Sequence, residues 1–517
     1  MRFIKITVFA CIVILISVSA SSFRTIQDKA LDNGQTLYFS HCGSCHMLPK
    51  PSSLTKQVWE SRVLPIMASR MGITYPGFDP LKGLTPEEKE IVAKNNIIPK
   101  QPVLTKEEWN QLSQYIIRNA PDEIAIDRSR LTRNAPLEQF VRKDIALQDN
   151  SPSLITGLKY NSETHTVWIG DNYQKVYNWQ WNQGITQSLT TQSPVVDFTF
   201  YQDATYLTEI GKLFPTELNT GSINLLARDK DSIWLPSLHR PVHTQIEDLN
   251  NDGIPEIIVC KFGNKIGSLS VYTRRTSAEA YTEQVLLNMP GAIKCFVQDM
   301  DGDGEKDIVA MFAQGDESVY IFQQKEDFQF KAKRVLRFPP HFGTTDMVLI
   351  DFNKDGLTDM ITAHGDNADH SPILKAFHGI RIHLNRGNGK FDEKYFYPVY
   401  GSTKVIADDF DKDRDIDIAL TAFFPDYNEL LNESFVYLEN TSRGDHIQFT
   451  SFTHQSDLPV KSLTLEKGDI DQDGDMDILL GLFAQTPGGV PDYLDQQWKS
   501  SKTGLILFMN QHDQLHK

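Results

Sequence analysis

Between residues 150 and 512, apolar and polar positions alternate with a period of two, the signature of half-buried strands. Acidic turns break the alternation at regular distances. Short β-type runs follow the turns, as in Ile257-Ile258-Val259, Ile308-Val309 and Ile478-Leu479-Leu480. Each unit predicts a strand, an acidic loop, a second strand, then one or two outer strands such as 434–440 and 504–510. Upstream the period changes. Residues 54–71 place Val58, Val63 and Ile66 at helical spacing, and residues 34–40 predict a short helix. Thr85-Pro86-Glu87-Glu88 and Thr105-Lys106-Glu107-Glu108 are helix starts, each a capping hydroxyl followed by acids in the first turn. The second opens a helix through Trp109, Leu112, Tyr115 and Ile116 that ends before Pro121.

Residues 1–20 differ from both patterns. Arg2 and Lys5 precede an apolar run from Val8 to Val18, and Val18-Ser19-Ala20 is a small-residue cleavage site. The run is short for a membrane span, so it predicts a cleaved export signal and a periplasmic or cell-surface protein. With 517 residues the chain exceeds a single core. The expected division is a signal at 1–20, a helical domain at 21–130, a linker at 131–149 and a β domain at 150–517.

Five of the acidic turns share one template. They are Asp248, Asn250, Asp252 and Glu256; Asp299, Asp301, Asp303 and Asp307; Asp351, Asn353, Asp355 and Asp359; Asp409, Asp411, Asp413 and Asp417; and Asp469, Asp471, Asp473 and Asp477. These are positions 1, 3, 5 and 9 of each turn, and the first positions lie 51, 52, 58 and 60 residues apart. Such a period means stacked supersecondary units. Oxygen donors at this spacing converge on a hard cation, with glycine at position 6 for the sharp turn. Calcium suits so many carboxylates better than magnesium, giving up to five Ca²⁺. Arg414 replaces the glycine of the fourth loop, which predicts that loop to be the weakest. The formal charge is −16, and loss of Arg2 and Lys5 takes it to −18. This excess argues against nucleic acid or anionic membranes as partners. Eighteen carboxylates at ligand positions would be partly neutralised by bound calcium.

Residues 41–46 read His-Cys-Gly-Ser-Cys-His. Cys42 and Cys45 are spaced to bond the two vinyl groups of one haem, with His46 as proximal ligand to the iron. No second Cys-x-x-Cys completes a zinc site, and export suits attachment of a c-type haem. Met67 is the expected sixth ligand and Met71 its alternative, because a thioether closes the iron and raises its potential. Cys260 and Cys295 remain, either as a disulfide or as two separate buried thiols.

The segment from Gly34 through the helix at 105–116 resembles a small cytochrome c domain. Residues 150–512 resemble the FG-GAP or VCBS repeats of integrin-α-like propellers. Together the resemblances imply a multidomain protein, a small all-α cytochrome c domain followed by an all-β seven-bladed β-propeller. Units near 166–181 and 195–226 would be two blades without ligands. The implied cofactors are one covalent haem c and calcium. The implied partners are a redox protein or electron-transport chain, and a small molecule or glycan on the propeller.

Long loops of the last three blades hold Asp366, Asp369, His370, Lys375 and His378, then Asp426, then Asp492. On one propeller face these are candidate substrate-binding or proton-accepting residues. Five residues before each first Asp stand His243, Lys294, Asp346, Lys404 and Thr464, which would line one mouth and attract an anion. No nucleophile elbow or dinucleotide fingerprint occurs, so the residues point to no chemical step beyond electron transfer.

Overall fold

A computed structural model describes residues 33–126, 134–147, 152–226, 232–368, 373–456, 458–485 and 490–511. The expected signal, Asp369 and His370 lie outside these residues. The chain forms two compact units, Met1–Gly83 with Asn96–Ala125, and Leu84–Asn95 with Ile126–Lys517. No helix among the described residues is long and apolar enough to cross a membrane.

The first unit is helical. Its first helix begins at 33 and ends in a wide turn, Tyr38–Cys42. The predicted amphipathic segment runs from Lys56 to Arg70, with a second wide turn at Trp59–Val63. Pro65 follows that turn. Its ring has no N–H and cannot fit a regular helical turn, so a locally wider one precedes it. The helix Lys106–Asn119 starts with the expected capping box, Thr105 with Glu108. Leu37, Tyr38, Trp59, Leu64, Trp109, Leu112 and Ile116 fill the interior. Gly34 faces the Gln111 carbonyl so closely that a Cβ would lie 2.4 Å from it, and the Tyr38 and Tyr115 rings sit 5.5 Å apart. Glycine at 34 is therefore what lets these two helices touch.

The second unit is a seven-bladed β-propeller. Its blades begin at Ile155, Val195, Pro241, Ala292, Thr344, Ser402 and Ser462, and each has four antiparallel strands built outward from the first. First strands of neighbouring blades touch, and the last touches the first, so the ring closes. The apolar faces of adjacent blades interleave. One cluster joins Ile361, Ile380 and Ile382 of blade five to Ile418, Leu420 and Val436 of blade six. Both ligand-free units are present as blades one and two.

Residues expected as a linker are not one. Ala135–Pro136 pairs in parallel with Phe449–Thr453 at the outer edge of blade six. Phe140–Ala146 pairs antiparallel with Thr503–Asn510 and supplies the fourth strand of blade seven. An outermost strand is wetted on much of its surface, so Arg142, Lys143 and Asp144 sit in it at little cost and hide its period. The helix Pro86–Lys94 also groups with the propeller. Glu88 closes its capping box and accepts from the Thr216 hydroxyl at 2.6 Å and the Glu217 amide at 3.1 Å.

Candidate functional site

Three places collect chemistry. The first is the Cys42–His46 turn. Its wide helical turn leaves Cys42 half-buried, Cys45 exposed and both thiols unbonded to any other cysteine. Burial pushes the Cys42 thiol up to about 12, with the neighbouring Cys45 adding to the effect. His46 Nδ1 lies 3.0 Å from the Met47 carbonyl. With the proton on Nδ1 this bond fixes the ring and leaves Nε2 as the free ligand atom. Phe39 and Met47, flanking the motif, are large apolar side chains left exposed. Two thiols, one oriented imidazole and bare apolar surface fit a porphyrin. Met67 lies in the helix Leu64–Arg70 and Met71 caps it, both half-buried.

The second place is the set of five acidic loops, which fold alike. In every loop the position-3 oxygen accepts from the position-5 amide, at 3.0–3.3 Å. The position-5 oxygen accepts from the position-7 amide, at 2.8–3.2 Å. Positions 4 and 6 are left-handed throughout. Arg414 takes φ 79°, and its amide donates to Asp409 at 3.0 Å as glycine does in loops one to three. The fourth loop thus keeps its shape against expectation, with strain in place of a missing contact. Arg414→Gly is expected to raise stability by about 1 kcal/mol, read from thermal melts in the absence of calcium.

Carboxylates at positions 1, 3 and 5 converge in loops two, four and five, where one oxygen from each lies within 4.8 Å of the others. In loops one and three an asparagine takes position 3 and donates to the position-5 acid at 2.9 Å. The position-9 acids have a different task from the one their spacing suggested. Asp307, Asp359, Asp417 and Asp477 are fully buried, and both oxygens of each already accept backbone N–H groups. They staple each loop to its own third strand. Glu256 does half of this through the Leu249 amide at 3.0 Å.

Position 7 adds a further acid in the last two loops, Asp415 and Asp475, which the sequence reading missed. Asp409 Oδ1 and Asp415 Oδ1 in loop four, and Asp469 Oδ1 with both oxygens of Asp475 in loop five, are buried without a hydrogen-bond partner. Buried anionic oxygens without partners are costly unless a cation or a proton neutralises them. Burial, then the charge of Asp413, pushes Asp415 up to about 7, and burial with Asp473 does the same to Asp475. Loop two differs, because Lys325 Nζ sits 3.0 Å from Asp303 and supplies a positive charge from the chain itself. The donor set of loops four and five therefore suits a hard divalent ion best.

The third place is the opposite face with its long loops. Among the described residues the candidates do not form an open site. His378 is fully buried, and burial with the nearby Lys375 charge holds its imidazole well below the ordinary value. Lys375 is buried and donates to Asn367 Oδ1 at 2.6 Å. Asp366 accepts from the Ala368 amide, and Asp426 from the Asn428 and Glu429 amides, each shaping its own turn. Asp492 is exposed in the first turn of a helix, Asp492–Ser500, where a loop was expected. Leu494 and Trp498, one turn apart after Pro491, are the signal that marks it.

That helix covers Lys461. The Lys461 ammonium is 3.8 Å from the Phe423 ring centre, 4.8 Å from Trp498 and 5.6 Å from Tyr427, and it donates to the Tyr427 hydroxyl at 3.2 Å. The side chain is 1% exposed. Burial pushes the amine down to about 7, partly opposed by Asp495. In the unfolded chain its value is near 10.4. Between these values the unfolded chain holds the extra proton, so stability rises with pH across that window. Relative to Lys461→Met, the wild type is expected to gain on the order of a few kcal/mol between pH 7 and 10, read from urea titrations.

The five strand-start residues also meet an answer within the chain. Each first strand has a register shift at the same place, which aligns Gly157, Asp197, His243, Lys294, Asp346, Lys404 and Thr464 around the ring. Lys294 donates to Asp346 at 2.7 Å. Asp346 accepts from the Val405 amide, and Asp197 from the Thr244 amide. These groups tie neighbouring blades rather than present an unpaired positive ring to an anion. A buried chain also went unread, from Glu317 through Thr344, His364 and Thr362 to His383, with links of 2.6–3.1 Å. An open cleft of about 320 Å³ lies elsewhere, on the rim of blades six and seven, lined by Arg142, His454, Trp498 and Thr503 among others.

A family model described as an FG-GAP-like repeat matches residues 299–362, from the second acidic loop through the third. No curated protein matches the chain. Fold and match together define a seven-bladed β-propeller that carries FG-GAP-like repeats, an architecture suited to binding.

Proposed function

We propose that this is an exported electron-transfer protein whose helical unit carries one haem c and whose propeller, braced by calcium, binds a partner or ligand. The observation that carries the reading is the Cys42-Gly-Ser-Cys45-His46 turn, with free thiols, an oriented imidazole and exposed apolar neighbours. Cys42 and Cys45 would hold the porphyrin, and His46 would ligate the iron through Nε2. A bound haem supplies one-electron chemistry. Met67 would take the far side of the iron, with Met71 as the alternative. The orphaned oxygens of loops four and five support calcium as a structural ion.

Binding is favoured over catalysis on the propeller. Among the described residues, His378, Lys375 and Asp426 are taken up by the loops that hold them, which argues against His378 as the proton acceptor of a substrate oxidation. The partner is a redox protein or an electron-transport chain, with a small molecule or glycan as a further ligand of the propeller.

The test is purification of the exported, matured chain, then visible spectra with candidate reductants and partner proteins. Reduction by a partner protein, with no small substrate required, supports the reading. Met67→Ala is expected to remove the weak methionine–iron band of the oxidised protein and lower its potential. Reduction by a small substrate that is lost in His378→Ala would restore the oxidoreductase reading.

A further inference from the structure

Two cysteines that the haem motif does not use meet a histidine inside the propeller. His243 lies in the first strand of blade three, Pro241–Glu247, and Cys260 is its register partner in the second, Glu256–Lys261. Cys295 reaches the same point from the first strand of blade four, Ala292–Gln298. The ligand atoms of the three residues all lie within 4.8 Å of one another, and Cys295 Sγ is 3.6 Å from His243 Nδ1. Both sulfurs are fully buried, and no disulfide joins them. After the register shift between Pro241 and His243, His243 stands directly opposite Cys260.

We propose that His243, Cys260 and Cys295 bind one zinc ion between blades three and four. Distance supports it. Zinc–sulfur bonds of about 2.3 Å and zinc–nitrogen bonds of about 2.05 Å, at a tetrahedral angle, set sulfur and nitrogen about 3.6 Å apart. The observed separation is 3.6 Å. Donor type supports it as well, since thiolates with imidazole select thiophilic ions over calcium or magnesium. Charge then decides which ion. Leu249, Ile258, Leu269, Val271, Ala292 and Ile308 pack in the same apolar cluster as the two cysteines. A net charge there is costly. Two thiolates and Zn²⁺ sum to zero, whereas Cu⁺ would leave a negative charge beside the Asp197 carboxylate, which acts on both sulfurs. On binding, each thiol gives its proton to solvent, and the metal takes the two lone pairs with no change of oxidation state. His243 is only half-buried, so a water can complete the fourth position from its side.

The site joins three strands of two blades, so it would act as a cross-link of the ring that loop calcium does not provide. The test uses the full chain, dialysed against a weak chelator and titrated with zinc chloride alone. One zinc per chain by elemental analysis is expected. Peptide mass spectrometry after alkylation is expected to show Cys260 and Cys295 unmodified in the zinc-loaded protein and modified after strong chelation. His243→Ala, at a half-exposed position, is expected to fold by circular dichroism and to lose the zinc. Cys295→Ser is expected to lose it too, and if that core variant fails to fold the histidine variant still decides. A Cys260–Cys295 disulfide in the purified protein overturns the proposal. So does a reduced protein that takes up no zinc, retention of zinc by His243→Ala, or copper bound in preference at the same sulfurs.

Discussion

Exported with haem-attachment machinery, the wild-type chain is expected to keep one haem through denaturing electrophoresis, and Cys42→Ala with Cys45→Ala is expected to keep none. The effect is all-or-none because the proposed link is covalent. A porphyrin held only by His46 and the apolar surface around Phe39 would wash out in detergent, whereas two thioethers survive it. The measurement is peroxidase staining of the gel together with the mass of the intact protein. Single variants separate the two thiols. Cys45 is exposed and Cys42 half-buried, so Cys42→Ala also removes a packed side chain, while Cys45→Ala costs little in stability. A wild-type protein matured in this way and lacking a c-type spectrum would end the haem reading altogether.

The second large effect concerns calcium. Chelation is expected to lower the melting temperature of the propeller while the haem spectrum stays nearly the same, since the two donor sets lie in different units. A site at a hundredfold excess of free ion over its dissociation constant adds about 2.7 kcal/mol of stability. Loops four and five should dominate. Their buried oxygens are orphaned, and Asp415 and Asp475 add a fourth acid at position 7. Asp475→Asn and Asp415→Asn should each remove most of one site's calcium-dependent gain, and Asp303→Asn should remove less, because Lys325 already neutralises part of loop two. Calorimetry with and without calcium, set beside the metal content after dialysis, measures this. No calcium retained by the wild type would sink it.

Much of the propeller was legible because its message repeats. One acidic turn could be any solvated loop, but five in register at spacings of 51 to 60 residues specify five blades. The helix starts at Thr85 and Thr105 were legible for a local reason, a hydroxyl and an acid three residues apart. What stayed hidden depends on distance along the chain. Phe140–Ala146 looks like a linker because its partner is more than 350 residues away. Nothing in the spacing of His243, Cys260 and Cys295 resembles a metal motif, since only the blade geometry brings them together. The candidate loops failed differently. His378, Lys375 and Asp426 have the right chemistry for a site, but a polar side chain in a long loop can as well hold that loop together, and here it does.

The strand Phe140–Ala146 makes the order of synthesis matter. It leaves the ribosome before any blade exists, and its partner Thr503–Asn510 follows every other strand of the seven blades. Until then the early strand has no partner, and the growing ring carries open edges at its two ends. The nascent propeller thus cannot lock before this pairing forms, and the pairing serves as a latch that fastens only once all seven blades are made. A prematurely stopped product has no partner for the early strand and should be cleared by proteolysis, giving the cell a length check written into the ring itself.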